Sequence, residues 1–422
     1  MKIGIIAWGS EGDIRPFIAL ATGLSKRGHQ VDMVASSIDY RDFSVMLEGS
    51  GVRFSETTPI PVNREILEKM SRMAIQDRNP MNHFKFLLEN LFDPLEDELM
   101  EESKRLCLDC DVVVKHLLVH PLAVVAESTG TPLVDVTPTA AAVPSPDIQL
   151  IGVPWTGRFL NSLMWKAASK VMSRMLRERV NSLRIRVGLA PLRDVHCWLL
   201  DMSELTLIGC SRALLPEKVE WKGNVHVCGS LELESGSKEL SQELSEFLAA
   251  GPPPVYVSFG SMLYFEPEVD YLMETAAGAV LDAGQRCILQ CVRDDLSWSP
   301  DNQDILLVGK TSHKDVFPHC RAVVHHGGAG TTHTVVASGL PSVVVMYGVD
   351  QLFWGPRLLE LGVAPKPLLR RKLIRSNLSA AITEACESPA MRIRTKELAS
   401  EMESEEGVRT AVELIEKEFS RG

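Results

Sequence analysis

The chain has 422 residues, 45% of them hydrophobic, and a formal net charge of -11. That length exceeds what one hydrophobic core usually organises and predicts two domains. The acidic balance disfavours a nucleic-acid binder, because that affinity rests on clustered Lys and Arg displacing counterions from phosphates.

From the N-terminus, the apolar start at 3–8 is too short for a secretion signal and reads as a strand. No run of about 18 apolar, uncharged residues follows that could span a bilayer. Apolar β-branched runs at 3–7, 31–35, 112–115, 133–136 and 205–208 alternate with helix-length segments. That alternation predicts a parallel sheet with covering helices. Periodicity lapses and glycine content rises over 229–237, as in a linker. A second series then runs through 255–259, 287–290, 305–308, 322–325 and 342–346. The expected organisation is α/β: a doubly wound parallel-sheet domain over 1–232 and another over 240–395. Dense charge at helical spacing over 389–419 predicts one solvated amphipathic helix, with 396–422 free to pack back on the first domain.

Several stretches carry chemistry. After the first strand comes Gly9-Ser10-Glu11-Gly12-Asp13-Ile14-Arg15-Pro16-Phe17, which opens a helix without the GxGxxG spacing of a dinucleotide site. On the residues alone, Asp13 also suits the N-cap of a helix beginning near Pro16. The triplet Asp109-Cys110-Asp111 could hold a divalent metal, but it precedes a strand at its amino end and reads as a surface turn. Cys107 and Cys110 have redox or zinc spacing without a second pair, and the nine scattered cysteines lack a disulfide framework, which fits a reducing cytoplasm. Over 155–189 eight Lys and Arg face the single acid Glu178, interleaved with Phe159, Leu160, Leu163 and Trp165. That bias suits contact with an anionic membrane, or equally a solvated helix with one apolar stripe. The methionine-bearing segments 59–86 and 137–154 suit an apolar acceptor cleft or an ordinary core.

In the second half, the run from Val255 to Met262 ends a strand in Gly260-Ser261, and Ser261 could reach a phosphate. Val323-Val324-His325-His326-Gly327-Gly328-Ala329-Gly330-Thr331-Thr332 joins a strand through a glycine-rich turn to a helix with its body at 334–338. Such a junction offers unpaired N–H groups and a positive dipole end to an anion. Tyr347-Gly348-Val349-Asp350-Gln351 follows the next strand, also at a carboxyl end where open α/β sheets bind ligands. A carboxylate beside a carboxamide suits sugar hydroxyls.

The stretch from His313 through Phe317-Pro318 and His325 to Thr332, on to Asp350-Gln351-Leu352-Phe353-Trp354-Gly355, resembles the donor motif of GT-B glycosyltransferases, particularly the sterol glucosyltransferase and glycopeptide-antibiotic glycosyltransferase group. The Gly9 to Phe17 turn resembles the Gly-Ser-x-Gly-Asp-x-x-Pro turn of the same enzymes. At Asp315 the chain departs from the sterol group, which carries tryptophan there. The resemblance implies two Rossmann-like domains facing a cleft and a nucleotide-sugar donor, UDP- or dTDP-linked. It implies His325, Gly327, Gly328, Gly330, Thr331 and Ser261 on the diphosphate, Asp350 and Gln351 on the sugar, and His313 beside the nucleoside. Asp13 becomes the base for a hydroxyl of a lipophilic acceptor, in an inverting transfer of a hexose such as glucose without metal or other cofactor. A carboxylate of ordinary pKa, about 4, is a weak base for that task. His326 and His333 rank behind Asp13 as bases. A UDP-GlcNAc 2-epimerase shares the architecture but lacks the Asp13 turn and the Asp-Gln pair, and a silent auxiliary protein would not need them.

Overall fold

Runs rich in Val and Ile bury both faces only inside a parallel sheet covered by helices, and the chain builds two such sheets. The structure is a computed structural model. It describes all residues except 39–41, 60–65, 67–68, 71–72, 74–79, 222, 234–238 and 420–422, and the backbone only of Pro80, Ser261, Tyr264 and Phe265. The first sheet has seven strands: β1 (Lys2–Gly9), β2 (Gln30–Ser37), β3 (Arg53–Glu56), β4 (Val112–His116), β5 (Leu133–Thr137), β6 (Leu205–Ile208) and β7 (Val225–Val227). Their spatial order is β3-β2-β1-β4-β5-β6-β7. The second has β8 (Val255–Ser258), β9 (Cys287–Gln290), β10 (Ile305–Val308), β11 (Ala322–His325), β12 (Ser342–Met346) and β13 (Leu368–Leu369), in the order β10-β9-β8-β11-β12-β13. Every pairing is parallel. Successive residues of β8 serve opposite layers: Val255 and Val257 join one cluster, Tyr256 the other. The strands that sequence periodicity misses are β3, β7 and β13. All three are edge strands, and β3 exposes Arg53, Ser55 and Glu56, so no apolar run announces it.

The longer helices are α1 (Glu11–Lys26), α2 (Pro80–Leu87), α3 (Glu96–Asp109), α4 (His120–Thr129), α5 (Arg158–Arg186), α6 (Gln242–Ala249), α7 (Val269–Asp282), α8 (Ala329–Ala337), α9 (Gln351–Glu360), α10 (Arg375–Glu387), α11 (Pro389–Glu403) and α12 (Gly407–Phe419). The chain forms two compact units. One comprises Met1–Val62, Phe84–Glu234 and Glu405–Gly422, the other Asn63–His83 and Ser235–Ser404. Most of 59–86 lies outside the described residues, as does part of 229–237. The stretch 137–154 is irregular chain around a 3-10 turn, Ala140–Ala142, and buries Val143 and Ile148.

The C-terminal segment differs from the single solvated helix expected over 389–419. It breaks at Ser404 into α11, which packs on α8 in the second unit, and α12, which returns to the first. Ala411, Val412 and Ile415 of α12 complete the core around β1 and α1, and Glu416 takes the Arg27 guanidinium at 2.6 Å. The charge density hid this apolar stripe. Ile415→Ala should therefore destabilise the first unit by about 2–5 kcal/mol, measured as a lower urea midpoint. An unchanged midpoint would make α12 a peripheral addition.

Candidate active site

Each sheet has one place where successive crossovers leave in opposite directions, and there the carboxyl ends of two neighbouring strands open a crevice. In the second unit this point lies between β8 and β11. The turn after β11 leads into α8, whose N-cap is Gly328 and which no side chain caps. Its first helical bond runs from the Thr332 N–H to the Gly328 carbonyl at 2.9 Å. The N–H groups of Ala329, Gly330 and Thr331 therefore have no helical acceptor and point outward at the positive end of the helix. The helix starts earlier than the sequence reading of 334–338, so Gly330 and Thr331 stand in its first turn.

Two glycines make room for a ring beside this end. A Cβ at Gly328 would lie 2.4 Å from His326 Nε2, and one at Gly260, after β8, would lie 2.7 Å from His326 Cε1. The His326 ring thus fills the space that side chains at both turns would need. His325 is fully buried; its Nδ1 accepts a hydrogen bond from the Gly327 N–H at 3.1 Å, while Nε2 has no partner. Burial pushes the His325 imidazole down to about 3 and that of His326 to about 4, with repulsion from His313 adding to both. Both rings are neutral near pH 7. With Nδ1 accepting, the His325 proton belongs on Nε2, an unanswered buried donor. His326 Nδ1 and the Thr332 hydroxyl are likewise buried without a partner.

The other expected residues group around this point to different degrees. A Cβ at Gly327 would lie 3.6 Å from Gln351 Cβ, so the α8 turn and the start of α9 adjoin. Gln351 is buried, and its Oε1 accepts from the N–H groups of Tyr347 (2.7 Å) and Gly348 (3.3 Å), which leaves its NH2 to donate elsewhere. Asp350, half-buried, occupies the N-cap position of α9 without capping it. Beside it Val349 has φ 51°, the one non-glycine residue with positive φ among those described and a costly conformation for a β-branched side chain. Backbone Ser261 lies in the 3-10 turn Gly260–Phe265, and its side chain is outside the described residues. His313 stacks on Phe317 with ring centres 4.7 Å apart and shares a hydrogen bond with Gln290 Oε1 at 3.1 Å. His333 is buried, donates from Nδ1 to the Ala329 carbonyl at 2.6 Å and packs edge-on to Trp354, a structural role.

Sequence reasoning overlooked the support beneath the Asp-Gln turn. Tyr347 donates its hydroxyl to Glu266 at 3.1 Å, and Arg370 clamps Glu266 through two contacts of 2.9 Å. Burial and the Glu266 charge push the Tyr347 phenol well above its ordinary range, so it remains a donor. Glu266 and Arg370 are far apart in sequence and belong to no periodic pattern. His83 was also missed: a Cβ at Gly348 would lie 3.4 Å from its Nδ1.

In the first unit the switch point lies between β1 and β4. The structure corrects the N-cap alternative for Asp13. The N-cap is Ser10, α1 begins at Glu11 and Pro16 lies inside it. Asp13 sits one turn in, where its Oδ2 accepts from the Ser10 N–H and hydroxyl, each at 2.9 Å. Gly9 has φ 137°, and a Cβ there would lie 2.5 Å from Asp13 Oδ2, so only glycine lets the carboxylate close this box. At the end of β4 stands His116, also unforeseen, with Nδ1 accepting from the Leu118 N–H at 3.4 Å. Burial lowers its pKa; the Asp13 and Asp135 charges oppose that shift and Lys115 adds to it. Lys115 and Asp135, paired across β4 and β5, form a buried ion pair at 2.5 Å. They were invisible because both sit within apolar strands. Asp111, of the Asp109-Cys110-Asp111 triplet, accepts the Lys2 N–H at 2.7 Å, and burial raises Cys107 and Cys110 to about 11.

The depressed values of His325 and His326 have a thermodynamic sign. Their folded values of about 3 and about 4 lie below the ordinary 6.5, so the unfolded chain binds more protons in between. Stability is full above 6.5 and falls as pH drops towards the folded values. The denaturant midpoint of the second unit should be lower at about pH 5 than at about pH 7.5, and His326→Gln should shrink that difference. An undiminished difference in the variant would exonerate His326.

Known proteins share this layout. Residues 279–416 match the family profile described as erythromycin biosynthesis protein CIII-like, C-terminal domain, and residues 3–96 match the glycosyltransferase family 28 N-terminal domain. The chain is 30% identical to sterol 3-beta-glucosyltransferase UGT80B1 of Arabidopsis thaliana, across 99% of this chain and 68% of that protein. It is 29% identical to O-mycaminosyltylonolide 6-deoxyallosyltransferase of Streptomyces fradiae, across 99% and 97% of the two. Fungal sterol 3-beta-glucosyltransferases are longer, and the chain spans 27% and 35% of two of them. In fold, the glycotransferase of kitacinnamycin superposes with a TM-score of 0.71 at 18% identity, over 99% of this chain and 98% of that one. Two parallel-sheet units with this order and these relatives make the chain a GT-B glycosyltransferase, a member of the family that includes the sterol 3-beta-glucosyltransferases and the antibiotic glycosyltransferases.

Proposed function

We propose that the enzyme moves a hexose, glucose in the first instance, from a uridine or thymidine diphosphate sugar to a hydroxyl of a lipophilic acceptor such as a sterol or natural-product aglycone. The observation that carries this reading is the uncapped N-terminus of α8 together with the unanswered His325 Nε2. A diphosphate satisfies all of these groups at once. In this reading the Ala329, Gly330 and Thr331 N–H groups, His325 and Ser261 hold the leaving charge without calling on a metal. Asp350 and the NH2 of Gln351 take the sugar hydroxyls, and His313 lies towards the nucleoside. Two names support the acceptor class: the Arabidopsis relative is a sterol glucosyltransferase, and the Streptomyces relative acts on O-mycaminosyltylonolide. The related fold of SsfS6 has been solved with thymidine diphosphate.

Asp13 is the proposed base. Its Oδ2 is held by Ser10, which leaves Oδ1 to take the acceptor proton as the acceptor oxygen attacks the anomeric carbon. The bond from that carbon to the diphosphate breaks in the same displacement, the nucleoside diphosphate departs with the electron pair, and configuration inverts. The cysteines are unpaired thiols, which supports a reducing, cytoplasmic setting.

Calorimetric titration with UDP, dTDP and UDP-glucose tests the donor half. The wild type should bind nucleotide, and Asp350→Ala should lose only the added contribution of the sugar. Asp13→Asn should bind nucleotide as the wild type does yet lose transfer by about 100-fold or more, the scale of a general base. Absence of nucleotide binding would sink the donor site, and full activity in Asp13→Asn would remove that residue from the chemistry.

A further inference from the structure

The cations of α5 divide into two sets. One set serves the fold: at the start of the helix Arg158 pairs with Asp147 at 3.1 Å and Glu220 at 2.9 Å, and towards its C-terminal end Arg179 clamps Asp93 through two contacts of 2.7 Å, Arg184 pairs with Glu127, and Arg186 meets Asp97 at 2.7 Å. Between these, Lys166, Lys170 and Arg174 are exposed, and no carboxylate among the described residues pairs with them. Their spacing of four puts them on one side of the helix. The same side exposes Phe159 (81%), Leu160, Leu163 and Val171, and Trp155 (49%) stands just before the helix. The opposite side is anchored. Asn161 donates to the carbonyls of Pro146 (2.9 Å) and Ile148 (2.8 Å), and the Trp165 indole donates to Ile148 at 2.8 Å. The outer face is thus a fixed surface of a folded helix.

We infer that this N-terminal half of α5 docks the enzyme on an anionic lipid surface, lying in the plane of the headgroups. In a chain of net charge -11, most of the surface is repelled by anionic lipid, so a basic face selects the orientation of approach. Aliphatic side chains with Phe159 and Trp155 supply the apolar edge that reaches below the headgroups. No helix among the described residues is long and apolar enough to cross a membrane, so the contact is peripheral. Such docking goes beyond the transfer reaction and is read without donor or acceptor.

Co-sedimentation of the full chain with vesicles tests it, using phosphatidylcholine alone and phosphatidylcholine carrying about 30% phosphatidylserine. The wild type should bind the anionic vesicles preferentially, and rising salt should weaken the binding. The triple variant Lys166→Glu, Lys170→Glu, Arg174→Glu should lose binding by at least about 100-fold, since each cation contributes on the order of fivefold. Phe159→Ser should weaken it at unchanged charge. Thermal melting and nucleotide titration of each variant check that the fold and the donor site survive. Equal or absent binding to the two vesicle types, or retained binding by the triple variant, would overturn the proposal. So would a wild-type dimer in light scattering that the triple variant abolishes, which would assign the face to a second copy of the chain.

Discussion

The second unit depends on one steric arrangement, the His326 imidazole lodged where side chains at Gly260 and Gly328 would otherwise lie. The crossover at β8 and β11 brings two loop starts together, and both must be bare for the ring to fit. Beside the ring, the first turn of α8 is uncapped and His325 keeps a buried donor unanswered. A folded protein tolerates such unpaired groups at a cost, and in the proposed function a bound diphosphate recovers it. Neutral imidazoles suit this place, because they can donate without requiring a counter-charge.

The start of α1 in the first unit also lies at a switch point, and there Asp13 folds back on the Ser10 N–H and hydroxyl. These contacts orient Asp13, with one oxygen committed and one left over. In the proposed mechanism, a carboxylate that had to reorganise before accepting a proton would lose rate.

The sequence was most legible where burial and backbone geometry speak in the same residues. The strands β9, β11 and β12 fall where their apolar runs predict, because both faces of a central parallel strand must be apolar. The glycine-rich turn and the Asp-Gln turn were legible as motifs, and their adjacency follows from neighbouring strands. What stayed hidden were relations across the chain. Glu266 and Arg370 meet only in three dimensions, and Lys115 and Asp135 are charges inside apolar strands, paired by register rather than by spacing. The return of α12 was masked by surface charge that outnumbers its narrow apolar stripe. The α5 cations could be counted in the sequence, but only the ion pairs distinguish those that brace the fold from those that face outward.

A crystal structure of the enzyme grown with UDP tests the central claim most directly. The account predicts diphosphate oxygens within hydrogen-bond distance of the Gly330 and Thr331 N–H groups, with His325 Nε2 donating to one of them. A nucleotide seated elsewhere, with the start of α8 left to solvent, would contradict it.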